Sequence, residues 1–202
     1  LTVSGNVYAD KDLEVIGNTY VDGNVVAYKD LLVSGNVYVS QNVSVTEELT
    51  VSGNVYADKD LEVMGNVVAY KDLLVSGNVY VSQNVSVTEE LTVSGNVYAD
   101  KDLEVVGNIY ADGNVVAYKD LLVSGNVYVS QNVSVTEELT VSGNVYADKD
   151  LEVVGNIYAD GNVVAYKDLL VSGNVYVSQN VSVTEELTVS GNVYADKDLE
   201  VV

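Results

Sequence analysis

The chain has 202 residues, 30 acidic side chains against 9 basic ones, a formal net charge of −21, and no His, Cys, Pro, Trp or Phe. Without His and Cys, the commonest general base, nucleophile and metal ligands are missing. So acidic a surface also argues against nucleic acid, whose phosphates need Lys and Arg. No apolar run is long enough to span a membrane, and no stretch has the pattern of a signal peptide.

From Leu1 the chain reads LTVSGN, VYADKD, LEVIGN, TYVDGN, VVAYKD, LLVSGN, VYVSQN and VSVTEE, and LTVSGN then returns at Leu49. A strict short period means one structural unit stacked on copies of itself. In this six-residue cycle, position 1 is Leu, Val or Ile, with Thr19 the only polar exception, and position 3 is Val or Ala. All sixteen glycines fall at position 5 and are followed by Asn, and all nine lysines fall there and are followed by Asp. The longer cycle LTVSGNVYADKDLEV starts at Leu1, Leu49, Leu91, Leu139 and Leu187, at spacings of 48, 42, 48 and 48 residues. In the short copy LEVMGN at Leu61 runs directly into VVAYKD at Val67. Loss of one whole six-residue unit keeps every inward residue inward, which marks the hexad as the structural unit.

In an extended strand positions 1 and 3 point to one side and positions 2 and 4 to the other. The Val and Tyr content favours strand, and no helical periodicity competes. Positions 5 and 6 supply the corner, since Gly tolerates positive φ and Asn or Asp tolerates it better than most residues. A meander of two-residue hairpins would place Val3 with Tyr8 and Ser4 with Val7, mixing polar and apolar residues on each face. A parallel β-solenoid puts every position 1 and 3 inside. The expected fold is therefore all-β, one continuous single-stranded parallel β-solenoid over 1–202.

Two coil sizes compete. The 48-residue cycle divides by 12, which favours a flat coil of two hexads per turn. Large side chains at both inward positions favour a triangular coil of three. So do the tyrosines, because Tyr20, Tyr38 and Tyr56 lie 18 apart, as do Tyr110, Tyr128, Tyr146 and Tyr158, Tyr176, Tyr194. The triangular coil is the expectation, with about eleven turns and a length of roughly 54 Å.

Hexads such as LTVSGN, VYADKD and LEVIGN, with two inward aliphatics and a Gly-polar corner, resemble the bactofilins over the whole chain. That resemblance implies a right-handed triangular β-helix and a cytoplasmic cytoskeletal polymer. The left-handed hexapeptide acyltransferases are less similar. Their hexad places Gly directly after an aliphatic, whereas here Gly sits at position 5, and the histidine such an enzyme would use is absent.

The functional expectation is a structural protein rather than an enzyme, with no cofactor: a rod in an extracellular filament, sheath or surface layer of an archaeon or bacterium. A cytoplasmic polymer and an adhesin stalk or ligand-binding rod are the alternatives. The expected partner is the chain itself, head to tail and laterally, with no nucleic acid and no membrane insertion. Carboxylate pairs such as Asp10/Asp12 and Glu47/Glu48 read as solvated acidic corners that bridge rods through loosely bound divalent cations. Asn42, Asn84, Asn132 and Asn180 each open an Asn-Val-Ser sequon and are the glycosylation candidates. The tyrosines at 18-residue spacing are candidates for stacked surface ladders. The ends, on a hexad boundary without Met and four residues into a hexad at Val202, read as those of a segment of a longer or polymeric assembly.

Overall fold

The computed structural model describes all residues, 1–202, and contains only strands and the bends between them. Strands of three residues follow one another every six residues, from Val7–Ala9 and Leu13–Val15 to Leu199–Val201, after a two-residue first strand, Thr2–Val3. Each pairs in parallel with the strand 18 residues away, for example Tyr20 with Tyr38 and Leu61 with Val79. The chain thus winds into a single-stranded solenoid of about eleven turns with three strands per turn. Its three sheets hold twelve, eleven and eleven strands. They are called here face one, beginning at Thr2, face two, beginning at Val7, and face three, beginning at Leu13. The 12-residue flat coil does not occur: no strand pairs at that spacing.

Positions 1 and 3 of the cycle line the interior and 56 buried hydrophobic residues form one continuous core. Apart from one residue only aliphatic chains occur there: each Leu at position 1 has Val two residues on, whereas Ile109 and Ile157 have Ala111 and Ala159. The exception is Thr19, fully buried with a hydroxyl that has no hydrogen-bond partner. At the equivalent point of later cycles stand Ile109 and Ile157.

The corners depart from the expectation of left-handed glycines. Only Gly17 has a positive φ, of 100°, and no other residue type does. What most of the glycines supply is space rather than backbone freedom. A Cβ on Gly155 would fall on the Glu137 carbonyl of the turn below, with the carbonyl carbon only 2.7 Å away. Stacked corners approach that closely because the backbone bonds along the axis continue through them, as in Gly173 N–H to Gly155 O at 3.1 Å.

Eight units per cycle wound three to a turn have an unexpected surface consequence. Eight and three share no factor, so each face takes every third unit and uses all eight before repeating. In a full cycle the outward second positions are thereby sorted as Thr, Tyr, Tyr, Tyr, Val, Ser, Glu and Leu. Face one runs Thr92, Tyr110, Tyr128, Tyr146, Val164, Ser182, Glu200. Face three runs Glu104, Leu122, Thr140, Tyr158, Tyr176, Tyr194 in the same order. The order spans eight turns, roughly 38 Å at a rise of about 4.8 Å per turn.

Candidate functional site

The outer surface carries three recurring structures, and each grows from the hexad. The first is the corner ladder. The side-chain oxygen of the Asn or Asp at position 6 accepts a hydrogen bond from the backbone N–H of the position-6 residue one turn above. Between faces one and two the ladder runs unbroken from Asn6 through Asn24, Asn42 and Asp60 to Glu186. This is the side-chain ladder of cross-β stacks wrapped around a closed coil. Glutamate ends it. Glu48, Glu90, Glu138 and Glu186, one methylene longer, instead accept from the hydroxyls of Thr50, Thr92, Thr140 and Thr188 at 2.7 to 3.0 Å.

The second is the tyrosine stack. Tyr20, Tyr38 and Tyr56 lie ring over ring on face one, as do Tyr110, Tyr128 and Tyr146, with Tyr158, Tyr176 and Tyr194 on face three. Tyr80 and Tyr98 form a shorter stack on face two, which the sequence reading did not single out. Ring centres are 4.7 to 5.2 Å apart and the planes within 7° of parallel. Offset aromatic pairs contribute roughly 0.5–1.5 kcal/mol each beyond the area they cover. Some hydroxyls are tied down at the preceding corner, as in Asn54 Nδ2 donating to Tyr56 Oη at 2.7 Å. Tyr28, Tyr70, Tyr118 and Tyr166, at position 4, stand alone and more than half exposed.

The third is a trough that opens where the sorted order passes through Val and Ser to Glu, lined in addition by Tyr8 around Ser44 and by Tyr146 around Ser182. Four of the surface concavities are copies of it, around Ser44, Ser86, Ser134 and Ser182. Each contains one sequon asparagine. Asn42 is exposed and Asn84, Asn132 and Asn180 are half-buried. Their Oδ1 atoms serve the corner ladder, accepting from Asp60, Asp102, Asp150 and Asp198 at 3.1 to 3.2 Å. Their Nδ2 atoms donate to nothing in the protein, whereas those of Asn24, Asn78, Asn96 and Asn114 are hydrogen-bonded to the rung below. The sequence marked the four asparagines but held no sign of the trough, which forms only when units 18 residues apart are brought together.

Charge is spread along the corners. Lys29 pairs with Glu47 at 3.5 Å and Lys71 with Glu89 at 3.7 Å, both half-exposed and both one turn apart. Exposed pairs of this kind contribute little to stability. No group of three or more acidic side chains converges as a metal site would require. Asp10 and Asp12, like Glu47 and Glu48, lie outward on the corners. No family model, curated protein or solved structure matches the chain.

Proposed function

We propose that this chain is a structural, fibre-forming rod of an extracellular filament, sheath or surface layer. The observation that carries the reading is uniformity: the same rung, core and corner recur from one end to the other, and its chemistry is repeated along an axis rather than gathered in one place. Mechanical strength would come from backbone bonds parallel to the axis, the continuous aliphatic core and the corner ladders. The reading is non-enzymatic and needs no cofactor.

Self-association head to tail follows from the same uniformity. A rung without a neighbour leaves backbone N–H and C=O groups pointing along the axis, an edge waiting for a strand. Any rod end built from this cycle offers the same three-sided aliphatic surface to another copy. The charge of −21 opposes contact, and salt or loosely bound divalent cations screen it. Electron microscopy of the purified chain at raised salt tests this. Filaments with an axial spacing of about 4.8 Å continuing through the junctions are expected. A stable monomer at high concentration in every salt would contradict it.

The free Nδ2 atoms of Asn42, Asn84, Asn132 and Asn180 support N-glycosylation, because that nitrogen is the one a glycan takes. Glycopeptide mass analysis of native material decides between the extracellular rod and the second reading, a bactofilin-like cytoplasmic polymer. The second reading is supported by the three-strand turn with two inward aliphatics per side, which the bactofilin resemblance implied. Sugar on the four asparagines favours the first; four bare asparagines favour the second.

A further inference from the structure

We infer that the four troughs beside the sequon asparagines bind a pyranose ring, neutral or amino-substituted, and reject acidic sugars. The inference deepens the glycosylated-rod reading and rests on it for the sugar's biological source, while the trough's chemistry is its own.

The trough around Ser44 shows how the site is made. Tyr8, Val26, Ser44 and Glu62 are consecutive on face two. Val26 and Ser44 are short, so the surface drops between the Tyr8 ring and the Glu62 side chain, roughly 14 Å apart along the axis. Along the adjoining corner lie Asn42 and Asp60. The space measures about 220 Å³ here and up to about 290 Å³ in the copy around Ser86. Pockets for drug-sized ligands hold roughly 300–1,000 Å³, so the trough suits one ring rather than an extended chain.

A pyranose has an apolar C–H face and a rim of hydroxyls. The apolar face matches Val26 and the Tyr8 ring, whose upper side has no stacking partner because Val26 follows it. The hydroxyl rim meets groups with hydrogen-bonding capacity to spare. The Ser44 hydroxyl, the Asn42 Nδ2 and the Glu62 carboxylate have no hydrogen-bond partner within the protein, and Asp60 uses only Oδ1, for Asn78. The donors are few and neutral, and both charged groups are carboxylates. They accept from sugar hydroxyls, attract an ammonium and repel a second carboxylate.

The chain carries its own control. Tyr8 and Tyr146 line the troughs around Ser44 and Ser182, whereas Tyr98, one turn below Val116, does not line the trough around Ser134. In the trough around Ser86, Thr50 precedes Val68 instead. The Ser86 and Ser134 troughs therefore have the carboxylates but no lining ring, and their affinities should be the lowest of the four.

Saturation-transfer NMR with the unglycosylated recombinant chain tests the proposal, using methyl β-glucoside, methyl β-glucosaminide and methyl β-glucuronide as probes. The first two should bind and the glucuronide should not. Replacing the two lining rings by the residue found in the short copy, Tyr8→Thr and Tyr146→Thr, should weaken binding at those troughs about fivefold, the equivalent of about 1 kcal/mol. Filling all four troughs with Ser44→Tyr, Ser86→Tyr, Ser134→Tyr and Ser182→Tyr should cut binding at least about tenfold with an unchanged β-sheet spectrum, since position 2 already accommodates stacked Tyr. No binding of either neutral or amino sugar, equal binding of glucuronide, or undiminished binding in the filled variant overturns the inference. Glycan analysis of native protein is a separate result: bare asparagines sink the glycoprotein reading and leave the free-sugar titration standing. If the source is the attached glycan, native glycosylated chain should no longer take up free sugar, and removing the glycan should restore it.

Discussion

Face three between Thr50 and Ser86 and face one between Thr92 and Ser182 are built from the same units and look different. On face one Thr92 is followed by Tyr110, Tyr128, Tyr146, Val164 and Ser182; on face three Thr50 passes directly to Val68 and Ser86. The cause is the one hexad absent between Asn66 and Val67. Dropping it advances all later units by one face, so each face skips three members of the order. Face three loses its tyrosines there, face one jumps from Tyr56 to Leu74, and face two from Glu62 to Tyr80. The interior records nothing: Val67 lies over Leu49 and Ala69 over Val51, all buried. The core reads only residue class at two positions, whereas the skin reads phase. Insertions of whole hexads are therefore almost free in stability and costly in surface pattern.

The contrast between interior and surface breaks most visibly with a charge. Val123→Asp places a carboxylate in the core and should cost on the order of 3 kcal/mol or more. Ser124→Asp, one residue on and outward, should stay within about 0.5 kcal/mol. Thermal melts of the pair measure the difference, and equal losses would refute the inside–outside assignment. The corners come next. Gly155→Ala should cost about 1–3 kcal/mol, because its Cβ must displace the Glu137 carbonyl. Gly5→Ala, with nothing within 4 Å of its Cβ, should be close to neutral in a denaturant titration.

Smaller effects sharpen the comparison from the stabilising side. Thr19→Ile combined with Val21→Ala removes the unpartnered buried hydroxyl and restores the inward pair of the later cycles, so a gain of about 1–2 kcal/mol is expected. A loss in calorimetry would show that Thr19 fits a narrower site than Ile109 and Ile157 do. Inserting IYADGN between Asn66 and Val67 should leave the melting temperature nearly unchanged and place a third ring beneath Tyr80 and Tyr98. Near-ultraviolet circular dichroism would register the added stack. A large drop in stability would mean that the core does sense the phase.

The alternation at positions 1 and 3 made the inside of this rod legible, because a period of two in a strand admits only one buried side. Tyr20, Tyr38 and Tyr56 made the coil size legible, because their rings stack one turn apart. The 48-residue cycle misled in the other direction: it divides by 12, yet a cycle need not close on a whole number of turns. Corner conformation was not legible, since Gly is equally suited to positive φ and to close approach, and at Gly155 the second reason holds. The troughs were hidden for a different reason. Tyr8, Val26, Ser44 and Glu62 are 18 apart in sequence and belong to four different hexads, so their juxtaposition exists only after winding.

The three-strand turn underlies all of this, and one distance tests it. The chain has no Cys, so nitroxides can be placed uniquely at Ser44→Cys and Ser134→Cys. Both residues lie on face two, five strands apart in that sheet. Double electron–electron resonance should give a narrow distribution centred near 24 Å, five turns of about 4.8 Å. A separation of about 36 Å or more, the value for seven and a half turns of a 12-residue coil with the labels on opposite sides, would contradict the account.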